Sequence, residues 1–168
     1  MLKQISLLIL CAVAIVLFAT PVHACTSAVV SGKVTLDGRP LLWKNRDTDF
    51  MRNHVDYVKG ERYDFIAVVN SANAYLKEAW MGTNSSGFAL MNTQSYNLVD
   101  VKGDEERGAA NGRVIYRALE VCATVEDFCH FLDTISKPSD IEANFGVIDA
   151  QGGAAMFEVD YYKYVMYD

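Results

Sequence analysis

Residues 25–49 read CTSAVVSGKVTLDGRPLLWKNRDTD, and the fold class turns on how they fold. Small and β-branched residues from Cys25 to Lys33 have the pattern of a strand, Asp37-Gly38 is a tight-turn pair, and Pro40 to Lys44 (PLLWK) is the return strand. The hairpin runs out into a charged cluster, Asn45-Arg46-Asp47-Thr48-Asp49, directly after a strongly apolar strand. A hairpin returns the chain beside its own start, so Arg46 and Asp49 come next to Cys25. The plainer reading of Arg46 and Asp49 is a solvated turn with a local ion pair.

Upstream of this hairpin, Lys3 gives a positive start and Ile5 to Thr20 (ISLLILCAVAIVLFAT) is apolar without a charge. Pro21 breaks the run, and Val22-His23-Ala24 places β-branched and small residues at −3 and −1 of a cleavage site before Cys25. Residues 1–24 therefore read as a cleaved export signal. A retained anchor would need about 20 apolar residues, and this run is shorter. Cleavage leaves a mature domain over residues 25–168, takes the net charge from −6 to −7, and makes Cys25 the first residue. The expected location is secreted or periplasmic, in a bacterium, where disulfides persist.

A cysteine at the cut has two explanations. Signal processing with lipid capping would anchor the protein through Cys25, although His23 at −2 is unusual there. An N-terminal nucleophile would instead use the Cys25 thiol for attack and its free α-amine as the base. Such an amine titrates at about 7.7–8.0, close enough to neutral to take the thiol proton. The cleavage site alone leans towards lipidation; the residues that follow reverse the balance.

Working outward downstream, Tyr63 to Val69 (YDFIAVV) is a strand candidate. Ala79 to Asn92 gives a further pair about a turn at Asn84-Ser85-Ser86-Gly87, with Asn92 a polar strand end on the plain reading. Residues 102–112 (KGDEERGAANG) read as an exposed loop. Val114, Ile115, Ala118, Leu119 and Cys122 have helical spacing, and Thr124 with Asp127 forms a capping box opening a second helix through Ile135. Asn144 to Ala150, the turn Gln151-Gly152-Gly153 and Ala154 to Val159 make a second hairpin, and Tyr161 to Tyr167 begins one more strand. Strands, two helices, then strands predict an α+β layered domain with largely antiparallel sheets.

Composition narrows the function. The chain has 168 residues, 51% apolar and 21% charged, enough for one globular domain. Fifteen basic against twenty-one acidic residues, with no basic block, exclude a nucleic-acid binder. After cleavage only His54 and His130 remain, read as a loop residue and a partly buried helix residue, and no Cys-x-x-Cys is present, so neither a metal nor a cofactor is expected. Cys122 and Cys129 would lie ~10.5 Å apart on one helix, beyond disulfide reach; a chain break at residues 123–124 could bring them closer, but core packing is the default. The aromatic residues between Trp43 and Trp80 are candidates for an acyl pocket or for core.

The pattern Cys25-Thr26-Ser27, Lys33…Asp37-Gly38, then Arg46-Asp47-Thr48-Asp49 resembles the N-terminal nucleophile hydrolases that cleave linear amides. These are the choloylglycine hydrolases (bile salt hydrolase, penicillin V acylase) and the acyl-CoA:6-aminopenicillanic acid acyltransferases. Residues 82–89 (GTNSSGFA) resemble the family's Gly-x-Asn-x-x-Gly turn, and Val147 to Ala150, Gly153 and Glu158 resemble its later hairpin. The resemblance implies a catalytic set of Cys25, Arg46, Asp49 and Asn92. Cys25 would be the nucleophile, Asp49 would hold its α-amine, Arg46 would stabilise thiolate and substrate, and Asn92 would bind the oxyanion. It implies a small N-acyl amide substrate; the charge balance argues against a nucleic acid, and removal of residues 1–24 leaves no stable membrane insertion after cleavage. The resemblance also implies an αββα sandwich of which this sequence supplies the N-terminal half. A fragment is the expectation; a homo-oligomer or a completing second chain, and a degenerate relative, are the alternatives. The rival functions are a dipeptidase of the same superfamily and a non-catalytic lipoprotein.

Overall fold

The computed structural model describes residues 25–95 and 108–168; residues 1–24, read above as an export signal, and most of the predicted polar loop lie outside the described residues. Among those described, the strands form two antiparallel sheets. The first is the hairpin of β1 (Thr26–Val30) and β2 (Leu41–Asn45), in the register Thr26 opposite Asn45. Between them Gly32–Val34 makes one 3₁₀ turn. The second is a seven-stranded meander in chain order. Its strands are β3 (Asn53–Val58), β4 (Phe65–Asn70), β5 (Met81–Asn84), β6 (Ala89–Gln94), β7 (Ala143–Ile148), β8 (Ala154–Val159) and β9 (Tyr164–Tyr167). Two helices, α1 (Asn111–Val121) and α2 (Val125–Thr134), come between β6 and β7.

Helices and hairpin cover opposite faces of the large sheet. A Cβ on Gly82 would fall 2.6 Å from Leu119 Cδ1 of α1, while one on Gly146 would fall 2.8 Å from Val29 and 3.1 Å from Leu42 of the hairpin. Gly82 pairs with Leu90 and Gly146 with Met91. Leu90 and Met91 are consecutive on β6, and consecutive strand residues point to opposite faces. Both glycines are thus sites of close approach, one for each neighbouring layer. The layers run helices, seven-stranded sheet, hairpin, in keeping with the α+β expectation.

The core lies on the helix side. Phe65, Phe88, Leu90, Ile115, Leu119, Phe128, Leu132, Phe145 and Phe157 are all but fully buried. Phe128 meets the Phe145 and Phe157 rings edge-on at 5.8 and 5.1 Å. Each such side chain contributes about 1.5–3 kcal/mol by leaving water. The helix α2 start is as the sequence predicts: Thr124 Oγ1 accepts from Asp127 N, and the Asp127 carboxylate accepts from Thr124 N.

Four expectations change. The first helix opens at Asn111 inside the predicted loop, because Asn111 is buried and bonds main-chain groups of Glu142. His54 is not a loop residue but lies on β3, a strand whose polar sequence hid it, with Nδ1 3.0 Å from Ser71 Oγ. His130 is 72% exposed on α2, on the polar stripe it shares with Glu126, and not partly buried. The aromatic residues between Trp43 and Trp80 do not gather into one pocket. Phe65 is core and Trp80 half-buried, while Trp43, Phe50, Tyr57 and Tyr75 are exposed.

Candidate active site

Cys25 sits just ahead of β1, and the hairpin register that pairs Thr26 with Asn45 sets it beside the residues leaving β2. It is half-exposed, and its thiol donates to the Asp47 main-chain oxygen at 3.6 Å. Local sequence produces this contact: the register that puts Thr26 opposite Asn45 brings the residue just ahead of β1 alongside the chain leaving β2.

Arg46 is held from the other sheet. Asn53 and Asn70 are directly opposite each other on β3 and β4, and their side-chain oxygens take the two arms of the guanidinium. Nη1 donates to Asn53 Oδ1 and Nη2 to Asn70 Oδ1, the latter at 2.8 Å. The guanidinium carbon stands 4.9 Å from the centre of the Trp80 ring, a cation–π distance. Burial pushes the Arg46 pKa down and the Cys25 thiolate pulls it back up; the group stays charged throughout. Arg46 is therefore not the solvated turn residue of the plainer reading.

Asn92, on β6, is only 3% exposed, and its Oδ1 accepts from Lys44 Nζ at 3.0 Å. Lys44 also donates to the Trp80 main-chain oxygen at 3.0 Å. Withdrawal from water lowers the Lys44 pKa to about 8; the Cys25 thiolate opposes the fall and Arg46 adds to it. Trp80 carries a buried indole N–H with no hydrogen-bond partner among the described residues.

Of the four residues predicted from sequence, Cys25, Arg46 and Asn92 are joined in one cluster through Lys44 and Trp80. Asp49 lies in the exposed loop after β2, where its main-chain oxygen accepts from Met51 N at 3.0 Å. Lys44, Trp80, Asn53 and Asn70 were not anticipated. The signal for Lys44 was its place at the inward positions of β2, two residues after Leu42; the signal for Asn70 was a lone amide ending an apolar strand. The cluster offers a thiol, two cations held by amide and main-chain oxygens, and an amide. That set suits attack on a carbonyl and stabilisation of negative charge.

No metal-binding group of His, Cys, Asp and Glu occurs among the described residues. Cys122 and Cys129 are free thiols. Cys122 is core, its pKa pushed up to about 12 chiefly by burial, and Cys129 packs against Met166 at 3.8 Å. An open cavity of about 410 Å³ at the start of α2, lined by Val125, Cys129, Asp149 and Met166 among others, shares no residue with the cluster.

The family model described as "Acyl-coenzyme A:6-aminopenicillanic acid acyl-transferase" matches residues 35–165, a span that holds Arg46, Asp49 and Asn92 and begins after Cys25. No curated protein matches the chain. Among solved structures, penicillin V acylase from Agrobacterium tumefaciens is 16% identical with a TM-score of 0.42, over 86% of this chain and 40% of that one. The chain thus spans less than half the length of that relative.

Proposed function

The chain belongs to the acyl-coenzyme A:6-aminopenicillanic acid acyl-transferase family, and on that premise we propose that it is an exported cysteine amidohydrolase or acyltransferase acting on a linear N-acyl amide. Removal of residues 1–24 frees the Cys25 amine. Cys25 Sγ attacks the amide carbonyl carbon as its proton passes to that amine, and the carbonyl oxygen takes up the negative charge. The Asn92 amide donates to the oxyanion together with a main-chain N–H. Collapse breaks the C–N bond, the α-ammonium returns its proton to the leaving amine, and a thioester remains on Cys25. Water or an acceptor amine then attacks the thioester carbonyl and gives a proton to the α-amine; collapse breaks the C–S bond, the α-ammonium returns its proton to the departing Cys25 sulfur, and the acid or new amide is released. Arg46 supports the thiolate and Asp49 holds the amine.

The observation that supports this reading is the hairpin register, which sets the Cys25 thiol against the Asp47 main-chain oxygen next to Arg46, while Lys44 of the same strand bonds Asn92. The test is the mass of the mature N-terminus together with turnover of N-acyl amides. An unblocked Cys25, activity lost by more than about 10³-fold in Cys25→Ala and little activity in Cys25→Ser are expected. An acylated Cys25, or full activity in Cys25→Ala, overturns the assignment; faster cleavage of dipeptides redirects it to a dipeptidase.

A further inference from the structure

We infer that Lys44 is a positioning residue of this site: its ammonium, held by the Asn92 side-chain oxygen and the Trp80 main-chain oxygen, fixes the Asn92 amide with its NH₂ group as the free donor. The inference rests on the proposed oxyanion role of Asn92 and names what makes that role work.

The argument begins with the strand. β2 alternates exposed Leu41 and Trp43 with half-buried Leu42 and Lys44. Leu42 packs towards the Gly146 backbone of the large sheet. An apolar residue at 44 would extend that packing, whereas a lysine there must be withdrawn from water at a cost. What the lysine gains is two hydrogen bonds of 3.0 Å, both to uncharged oxygens and both on strand segments that meet at the β5–β6 edge.

Chemistry then settles which way the amide points. An ammonium only donates, so the amide atom facing Lys44 must be the oxygen, and the NH₂ is turned elsewhere. A neutral lysine amine can also accept, and would let the amide turn over. The orientation therefore depends on the Lys44 charge, with a pKa of about 8. The charged and titratable groups facing Lys44 are Cys25 at the start of β1 and Arg46 at the end of β2. A lysine that served only to tie β5 to β6 would hold its place in either charge state and leave the amide indifferent to pH.

The experiment follows the assigned Asn92 side-chain NH₂ resonances of the chain by ¹H–¹⁵N NMR between pH 6 and 10, alongside steady-state cleavage of an N-acyl p-nitroanilide. The Asn92 NH₂ shifts should move with a midpoint near about 8. That step should persist in Cys25→Ser, displaced downward because the thiolate is gone, and vanish in Lys44→Met. Lys44→Met should lower kcat by roughly 10–100-fold with KM within about twofold, and add nothing to the loss already caused by Asn92→Ala. Asn92 NH₂ signals that are the same in Lys44→Met as in the wild type overturn the inference, and so do losses that simply multiply in the double variant. If Lys44→Met does not fold, the same comparison is made with Lys44→Gln. If the wild type cleaves no amide, the proposed function fails by itself, and the NMR arm alone upholds or overturns the hold of Lys44 on Asn92.

Discussion

Asn84 and Asn92 are both buried asparagines, one ending β5 and the other inside β6, and their amides are engaged very differently. Asn84 is saturated. Its Nδ2 donates to the Leu119 and Cys122 oxygens at 2.9 and 2.8 Å, and its Oδ1 accepts from Ser86 N, Ser86 Oγ and Phe88 N. It ties the β5–β6 turn to the end of α1. Asn92 has its oxygen engaged by Lys44, which leaves its NH₂ to donate. The same contrast separates the two faces of the molecule. On the helix side Asp149 likewise takes three main-chain N–H groups, from Val125, Gln151 and Gly153. On the hairpin side, Lys44 and Arg46 are cations held by neutral oxygens. Saturated polar groups build a fold, and groups left with capacity are available for chemistry.

The largest effect that sharpens this contrast belongs to Asn84. Asn84→Ala leaves the Leu119 and Cys122 carbonyls and the Phe88 N–H without their partner in a buried setting, at about 1–3 kcal/mol for each unsatisfied group. A net loss of about 4 kcal/mol in urea unfolding is the expected outcome. A loss under about 1 kcal/mol would show that water replaces the amide and that the two asparagines are equivalent.

Asn92→Ala should give the complementary result. Removing one oxyanion donor lowers kcat by roughly 10²–10³-fold, while stability falls by about 2 kcal/mol, because the buried Lys44 ammonium loses one of its two acceptors. Parallel kinetics and urea melts on the two variants would show activity and stability responding to different residues. Equal losses in both assays for both asparagines would break the comparison.

How much of this was legible in sequence follows from what each signal depends on. The Asn84-to-Gly87 turn and the Thr124–Asp127 capping box depend on neighbours within a few residues and are where the sequence predicts them. The first hairpin pairs as predicted, but its first strand stops at Val30, because Gly32–Val34 winds into a 3₁₀ turn where the sequence predicts a strand to Lys33. Strand β3 (NHVDYV) carries its apolar side chains Val55 and Tyr57 to the exposed surface, so alternation gave no inward face to recognise. β2 inverts the usual pattern, with Trp43 outward and Lys44 inward. Hydropathy assigns a strand lysine to solvent, and only the stacking of the hairpin on the large sheet reveals the reverse. The Asn53–Asn70 grip on Arg46 comes from cross-strand register, which no local pattern encodes.

The smallest effect is a pH dependence that should belong to the hairpin face and not to the helix face. Burial has lowered the folded-state pKa of Lys44 to about 8, against 10.5 for the ordinary side chain. Between these values the unfolded chain binds the proton and the folded chain does not, so unfolding free energy rises with pH through that window. Below about pH 8 both states are protonated and folding must bury the charge; above 10.5 the penalty is gone. Taken as the difference between wild type and Lys44→Met, which cancels the titration of the shared lysines and tyrosines, the gain should be about 2 kcal/mol from pH 8 to 10.5. The matching difference between wild type and Asn84→Ala should stay flat, because Asn84 neither titrates nor bonds a titrating side chain. A flat profile for Lys44→Met would mean that its ammonium reaches water, and the hairpin face would then be as neutral an environment as the helix face.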